Sequence, residues 1–323
     1  LYAAFSMRGD VSSTMGDTET REWYPKAAVS YQLGEVSVFD NLKLRGAYGQ
    51  TGNMPQTKAK YTTLSSSNIG GINGLVPSST LGNPDIKPER TTELEFGADF
   101  SVMGGLATVE ATLYQQSIED LILLVDEAPS SGASNSWQNG GEMETNGLEL
   151  ALGLNPTSLI DLGGLDWNMH MTYYTNESEV TNLTVDPYNY GGFATFLGTY
   201  RIEEGWSPTA IVGADYDADG NHIELGNENP DFRLSFRNSL SFGPLSLSFL
   251  IDHKEGGHAI NLANLIYDLG ATTADYEENG SRTAVLGGGS TAPYVESTTY
   301  TALRDLSLTY SLPAGLTEGY GLS

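Results

Sequence analysis

Strict alternation of apolar and polar side chains is the feature that most constrains the fold of this chain. Between residues 165 and 173, apolar side chains occupy every odd position and polar ones every even position. The same period of two recurs at 42–49, 146–154, 232–242 and 306–312. Because successive side chains of a strand point to opposite faces, this pattern is typical of strands with one apolar face. We therefore predict an all-β protein.

Ten strands and almost no helix are predicted, and the lengths of their connections alternate. The strands cover residues 1–9, 23–34, 42–50, 90–101, 106–125, 143–154, 165–178, 230–242, 245–254 and 299–312. Long polar connections at 10–22, 51–89, 126–142, 179–229 and 255–298 alternate with connections of two to ten residues. In an antiparallel up-and-down sheet, all long connections then lie at one end. Transmembrane β-barrels show this arrangement, with short periplasmic turns and long extracellular loops.

A soluble β-sandwich is the alternative, because its strands alternate too. Sandwich strands usually run about 5–6 residues, whereas a strand needs ~9–11 residues to cross a bilayer. The predicted strands match the longer value. A transmembrane helix is excluded, since no window of about 18 residues is continuously apolar.

One predicted strand, 106–125, loses its clear parity at Gln115-Gln116-Ser117. A β-bulge at this point would restore the pattern. Alternatively, the strand projects above the membrane and water reaches both faces. The sequence leaves both readings open.

Charge and motifs limit the function. The chain has 41 acidic and 15 basic residues and a net charge of −26, which disfavours nucleic acid as a partner. The acidic stretch 179–229 also disfavours capture of anionic ligands there. No nucleophile–base arrangement, phosphate loop or paired-carboxylate motif stands out, so we expect no catalytic residues, no enzyme activity and no required cofactor.

Two prolines precede the strand at 90–101, in the stretch NPDIKPERTTELEFGADF (83–100). Each proline fixes its own φ and favours an extended conformation at the residue before it. We predict a structural lead-in segment that brings the chain into the sheet by an extended approach and in one register. Its residues are Asn83, Pro84, Lys87, Pro88 and Glu89.

Several segments carry, in this order, a family resemblance: RGDVSSTMG (8–16), LKLRGAYGQTGN (42–53), NPDIKPERTTELEFGADF (83–100), NGGEMETNGLEL (139–150), GNENPDFRLSF (226–236) and YTALRDLSLTYSLP (300–313). Together they resemble the SusC/RagA-like branch of TonB-dependent outer-membrane receptors. The resemblance implies that residues 1–323 are a partial receptor β-barrel domain from the C-terminal side of a barrel of about 22 strands. The plug domain and the terminal strand of the family are absent from this sequence, so we expect a segment of a longer polypeptide.

The resemblance also implies a function. Such receptors lie in the bacterial outer membrane and import oligosaccharides or peptides with a SusD-like surface lipoprotein. The TonB complex acts through the plug, which would be encoded upstream. A passive porin, an adhesin-anchor barrel and a soluble β-rich sugar-binding module are the alternatives.

Aromatic residues are densest at 186–206, DPYNYGGFATFLGTYRIEEGW. In an importer, such loop aromatics supply stacking surfaces for ligand or contacts to the lipoprotein lid. Packing of the loops against one another is the alternative. The predicted contacts are Tyr188, Tyr190, Phe193, Phe196, Tyr200 and Trp206.

Three alternate aspartates, Asp215, Asp217 and Asp219, precede Gly220 and resemble the first half of a calcium-binding loop. Their carboxylates would converge on Ca²⁺, and the glycine would permit the sharp turn. The bidentate Glu of such loops is missing, since Gly226 stands at that position. An acidic turn without metal is the alternative.

Overall fold

Ten long strands form a single antiparallel sheet in the computed structural model, which describes residues 1–192, 198–278 and 280–312. Each strand pairs with the next one along the chain, so β1 and β10 form the two edges. The strands are β1 (Tyr2–Asp10), β2 (Glu22–Val36), β3 (Phe39–Asn53), β4 (Glu89–Val102), β5 (Ala107–Glu119), β6 (Gly141–Leu154), β7 (Leu165–Leu183), β8 (Pro230–Phe242), β9 (Leu245–Gly256) and β10 (Tyr300–Tyr310).

All ten predicted strands are confirmed, and so is the up-and-down topology. The connections after β2, β4, β6 and β8 are short and lie at one end of the sheet. The long connections lie at the other end, which we call the loop end. The clearest difference is at β5, which stops at Glu119, because Asp120 adopts a left-handed conformation with φ 58°. Residues 122–126 then form a separate strand in the loops.

Away from the loop end, register gathers polar residues on one face of the sheet. Arg45 of β3 lies beside Gly97 of β4, which lies beside Thr112 of β5. The Arg45 guanidinium donates across Gly97 to Thr112 Oγ1 at 2.6 Å and to Asp99 Oδ1 at 3.1 Å. A Cβ on Gly97 would come within 2.5 Å of Arg45 Cζ, so the Arg45 side chain would have to shift if residue 97 were not a glycine. The polar face is thereby cross-linked over three strands.

The other face carries an exposed apolar band. One row across the sheet joins Leu44, Ala98, Ala111, Leu150, Tyr173 and Leu234. At the last described strand, Leu308 on this face is 69% exposed. In water, these exposed apolar side chains would be unfavourable. An outward-facing apolar band is expected where a sheet faces lipid.

The band ends before the strands do, and this resolves the doubtful parity at 115–117. β5 pairs with both neighbours without a register shift through these residues, so the expected bulge is wrong. Gln115 instead follows Leu113 on the outer face and lies beside Asn146 of β6. Both faces of the sheet are therefore polar near the loop end, as the second alternative predicted.

The long connections are folded rather than open loops. They contain small sheets formed by Leu64–Ile69 with Ile72–Pro77, by Thr80–Leu81 with Asn135–Asn139 and Ile122–Asp126, by Tyr188–Tyr190 with Thr199–Ile202, Ala210–Val212 and Gly226–Asn227, and by His258–Ile260 with Val295–Ser297. We call residues 184–229 the acidic loop and residues 257–299 the last loop.

The α-helices of the described residues are three, all short and all in the last loop, so little of the described chain is helical, as expected. They are α1 (Leu262–Leu269), α2 (Ala274–Glu277) and α3 (Ser281–Gly287). Asn261 and Thr273 cap the first two, accepting hydrogen bonds from the backbone N–H groups of Asn264 and Tyr276. Among the described residues, no helix has the length and apolar character needed to span a membrane.

Buried apolar residues collect at the loop end of the molecule. They are Met15, Tyr24, Ala59, Ile86, Leu123, Val180, Ala210, Ile211, Val212, Leu265 and Tyr294. The sheet itself buries little apolar area, because its outer face is an exposed band. In the last loop, Leu265 and Tyr294 form a small core.

Arginine substitutions on the outer face test the limits of the apolar band. Leu150→Arg places a charge inside the band, and we expect it to block membrane assembly because an Arg at mid-bilayer costs about 2–4 kcal/mol. The matched control is Asn146→Arg, on the same strand and face but beyond the band. Heat-modifiable gel mobility of the full-length receptor in membranes measures assembly. Equal assembly of the two variants would contradict the band.

Candidate functional site

The lead-in segment is held at a junction of several loops. The Ile86 side chain is only 1% exposed. Its backbone carbonyl accepts a 2.7 Å hydrogen bond from Gly16 N–H, and Asn83 N–H donates to Ala59 O at 2.8 Å. The segment thus joins the connection after β1 to the connection after β3.

Asn139 holds the other side of the lead-in segment. Its Oδ1 accepts from Lys87 N–H at 2.8 Å, and its Nδ2 donates to Lys87 O at 2.9 Å. Glu89 contributes its two carboxylate oxygens, which accept from Ile122 N–H at 2.9 Å and from Asn53 Nδ2 at 2.7 Å. The Asn139 amide thereby pairs with both the backbone N–H and the backbone carbonyl of Lys87, which lies before the strand and has no strand partner among the described residues.

The extended approach predicted for this segment differs from the structure around Pro84. Asn83 O accepts a hydrogen bond from Ile86 N–H at 3.2 Å, and Asn83 Oδ1 accepts from Asp85 N–H at 3.0 Å. Residues 83–86 therefore form a turn with the exposed Pro84 at its second position, which suits the fixed φ of proline. Pro88 is buried.

The predicted aromatic contacts divide between two places in the acidic loop. Tyr190 and Tyr200 lie on neighbouring strands with ring centroids 5.5 Å apart. The Tyr200 hydroxyl donates to Glu228 Oε2 at 2.5 Å, and this hydrogen bond raises the pKa of Tyr200 to about 12. Phe193 and Phe196 lie outside the described residues.

Trp206 is fixed against the end of β7. Val180 N–H donates to Trp206 O at 2.9 Å, and Gly205 N–H donates to Val180 O at 2.9 Å. This pair of backbone hydrogen bonds holds residues 205–206 beside a stretch of β7 that β8 does not pair with.

An apolar groove of about 420 Å³ lies between the loop strand Ile122–Asp126 and the acidic loop. Residues 121–124 line one part of it, and Tyr188, Tyr190, Ile202 and Pro208 line another. Met143 of β6 and Val180 of β7, which pair with each other, complete it. The groove is thus formed by residues from four separate stretches of the sequence.

An acidic cleft of about 590 Å³ adjoins Trp206. Among the described residues, four carboxylates line it, together with amides and no Lys, Arg or His. The carboxylates belong to Glu177, Glu179, Glu224 and Asp231, and the amides to Asn176, Asn227 and Asn229.

A polar trough of about 690 Å³ continues from the cleft along the polar face of the sheet. The cleft and the trough share Asn176 and Ser178. Carboxylates again outnumber cations in the described lining, which contains one cation, Arg45, and four carboxylates. These are Glu93, Glu95, Glu110 and Glu149. Groove, cleft and trough together offer apolar and acidic surfaces from the loop end into the polar face.

The three aspartates of the predicted calcium loop point to different partners. Asp217 accepts hydrogen bonds from the backbone N–H groups of Asp219 and Asn221, both at 2.9 Å, and the bond from Asn221 is the largest cause of its lowered pKa. Asp215 accepts from Thr291 N–H at 3.0 Å. In the described parts of the chain, no group of three or more His, Cys, Asp or Glu side chains is placed to hold a metal. Calcium binding stays a prediction.

A buried carboxylate organises the last loop. Asp268 accepts from Arg282 Nε at 3.0 Å and from the Tyr294 hydroxyl at 2.9 Å, and its other oxygen accepts from Thr273. These partners, Arg282 first, lower the pKa of Asp268 to about 2. Leu265 and Tyr294 form the small core beside it.

The last loop and the acidic loop are joined. Thr291 N–H donates to Asp215, and Thr291 Oγ1 accepts from Ala214 N–H at 3.0 Å. His258 Nδ1 accepts from Asn227 N–H at 3.4 Å. The two loops therefore share one hydrogen-bonded boundary behind the cleft.

Sequence reasoning missed Asn139, Asp268 and the groove. For residues 121–124 a signal existed, since LILL is a continuous apolar run inside a strand that otherwise alternated. For Asn139 and Asp268 no local signal marks the role, because their partners lie 52 and 14 residues away.

Comparisons with known proteins show which family this chain resembles in sequence and fold. The sequence profile of the family described as "TonB dependent receptor-like, beta-barrel" matches residues 3–322. TonB-dependent receptor P26 of Formosa agariphila is 27% identical over 95% of this chain and 37% of its own length. TonB-dependent receptor SusC of Bacteroides thetaiotaomicron is 26% identical over 56% of this chain and 19% of its own length.

Solved structures show the same fold. The RagAB peptide transporter gives a TM-score of 0.77 at 22% identity, covering 98% of this chain and 40% of that chain. The RagAB peptide importer in the "open-open" state gives 0.71 with the same identity and 39% of that chain. The present chain thus spans well under half of the length of the relatives it matches.

Substitution of Gly16 tests the junction around the lead-in segment. A Cβ at Gly16 would overlap the Pro84 carbonyl oxygen, so Gly16→Ala forces a backbone shift and should destabilise the junction by about 1–3 kcal/mol. Hydrogen exchange of the amides at 83–88 should accelerate in the full-length receptor. Gly49→Ala is the control, because its nearest neighbour, Lys26 Cγ, would be 3.9 Å away. Identical exchange in both variants would argue against a tight junction.

The buried Asp268 predicts acid sensitivity of the last loop. Because its folded pKa is about 2 and its ordinary value is 3.8, its contribution to stability is complete above about pH 4 and is lost as the pH falls toward 2. Pepsin cleavage within residues 257–299, normalised to an unstructured peptide, should therefore rise between pH 4 and pH 2. In Asp268→Asn, cleavage should already be fast at pH 4.

The exposed Asp219→Asn serves as the control for that experiment and should retain the wild-type profile. A wild-type loop that resists pepsin equally at both pH values would show that Asp268 does not hold it.

Proposed function

The chain belongs to the TonB-dependent receptor-like β-barrel family, and on this premise we propose that it forms the wall and extracellular loops of a receptor that imports a nutrient. The barrel lies in the outer membrane, so the soluble sandwich and the soluble sugar-binding module are wrong. The family is one of receptors and transporters, and we propose no catalytic role for this chain.

One observation carries the proposal: the sheet exposes an apolar band on one face and a polar trough on the other, and folded loops build two further cavities at one end. In a closed barrel, the trough would line the lumen, and the loop end would face the outside. A ligand captured at the groove or cleft would then have a polar path along the wall.

We propose an oligosaccharide or a peptide as the nutrient, and a SusD-like surface lipoprotein as the partner. The similarity to SusC and to the RagAB transporter supports this partner. The TonB complex would supply the energy through a plug region of the longer protein. Tyr188, Tyr190 and Trp206 remain the proposed contacts to ligand or lid.

Energy dependence of uptake tests the proposal. Cells that carry the full-length receptor should accumulate labelled oligosaccharide or peptide, and deletion of TonB should abolish the accumulation. The amount of receptor in the outer membrane is measured in parallel, so that loss of transport is not loss of protein. The physical reason is that a plugged barrel opens only when work is done on the plug.

A passive porin or an adhesin anchor gives the opposite results. Liposomes that contain the purified full-length protein would swell in small sugars if the barrel were an open pore, whereas a plugged receptor should not leak. Uptake that continues without TonB, together with swelling, would sink the import proposal.

A further inference from the structure

We propose that the imported ligand is a peptide with a bulky apolar side chain and a nearby positive charge, bound across the apolar groove and the acidic cleft. The inference rests on the proposed function and deepens it by choosing one ligand class. It names a two-part site at the loop end that the strand pattern alone did not indicate.

The groove selects for an apolar group. Its lining is aliphatic apart from two tyrosines and one proline. Leu124 and Tyr190 within it are 41% and 49% exposed, so binding would remove apolar surface from water. The polar side-chain groups of its described lining are the hydroxyls of Tyr188 and Tyr190, so the groove offers few hydrogen-bond partners to the hydroxyl groups around a sugar ring. A leucine, phenylalanine or valine side chain of a peptide presents none.

The cleft selects for a positive charge. Within the described residues, none of Glu177, Glu179, Glu224 and Asp231 lies within 4.0 Å of a cationic nitrogen, while eight other carboxylate–cation pairs do. Four carboxylates without a cation attract an ammonium or guanidinium group and repel sulfate and carboxylate. The indole of Trp206 adds a face on which such a cation stacks.

The two parts are close enough for one short peptide. Trp206 of the cleft and Pro208 of the groove are two residues apart, which limits their Cα separation to about 7 Å. Glu179 and Val180 are adjacent on β7 but point to opposite faces of the strand, so the closeness of cleft and groove rests on Trp206 and Pro208. An extended peptide spaces alternate side chains by about 6.6–6.8 Å. An apolar and a basic side chain one or two residues apart therefore fit this spacing.

Four probes separate the contributions of the two parts. The first is a ten-residue peptide of Ser and Gly with a central Leu-Ser-Lys. In the second, Glu replaces the Lys; in the third, Ser replaces the Leu; the fourth is a neutral glucose hexasaccharide. Calorimetry with the purified full-length receptor should give the tightest binding for the first probe and roughly tenfold or weaker binding for the other three. Binding of the first should weaken as salt is raised.

Two variants with matched controls assign the effect to the site. Leu124→Gln should weaken the Leu-containing peptides and leave the Leu-free probe unchanged, whereas Leu75→Gln, on an exposed loop strand outside the groove, should have no effect. The double variant Glu177→Gln and Glu224→Gln should weaken the Lys peptide and reduce its salt dependence. Glu35→Gln, at the end with short turns, is its control.

The outcomes distinguish this inference from the proposed function. If the hexasaccharide or the Glu peptide binds as tightly as the first probe, the inference is overturned while TonB-dependent uptake still stands. If Leu124→Gln instead abolishes association with the surface lipoprotein and leaves peptide binding intact, the groove is a docking surface and the inference is wrong. Loss of TonB dependence in wild-type cells counts against the proposed function alone.

Discussion

The pairing register of the ten-stranded sheet is the constraint on which the rest of this structure depends. Since side chains alternate along a strand, the register decides at once which residues face lipid and which face the trough. One apolar row exists only because six neighbouring strands pair in a single register. It consists of Leu44, Ala98, Ala111, Leu150, Tyr173 and Leu234. On the opposite face, the same step brings Arg45, Gly97 and Thr112 together and closes a cross-link over three strands.

At the loop end, side-chain alternation no longer separates an apolar face from a polar one. The strands extend beyond the apolar band at this end, and both of their faces are polar there. Folded loops contact the strands there, as Trp206 does at Val180, and in the last loop Leu265 and Tyr294 form a small core. The groove, the cleft and the trough arise where these loops meet β6 and β7. Side-chain alternation thus accounts for the sheet, whereas the cavities depend on loop contacts that alternation does not determine.

Much of the fold was predictable, because its signals are local. The ten strands, the alternation of short and long connections and the polar and apolar faces follow from a period of two and from loop length. The helices of the last loop were missed, although Asn261 and Thr273 are local N-cap signals, because helices of four to eight residues give only a short periodic pattern. At β5, the continuous apolar run at 121–124 was joined to the preceding strand, although the turn at Asp120 separates them.

The period of two along the chain is enough to predict the sheet: which residues form strands, which face each side chain takes and at which end the loops gather. The tertiary structure alone decided the site. Residues 121–124, Tyr188 and Pro208 line one groove, and Asn139 satisfies Lys87 from 52 positions away. The physical reason is the distance along the chain over which each interaction acts. Strand periodicity acts between neighbours along the chain, whereas a groove or a buried carboxylate such as Asp268 needs partners that only the folded loops bring within a few ångströms.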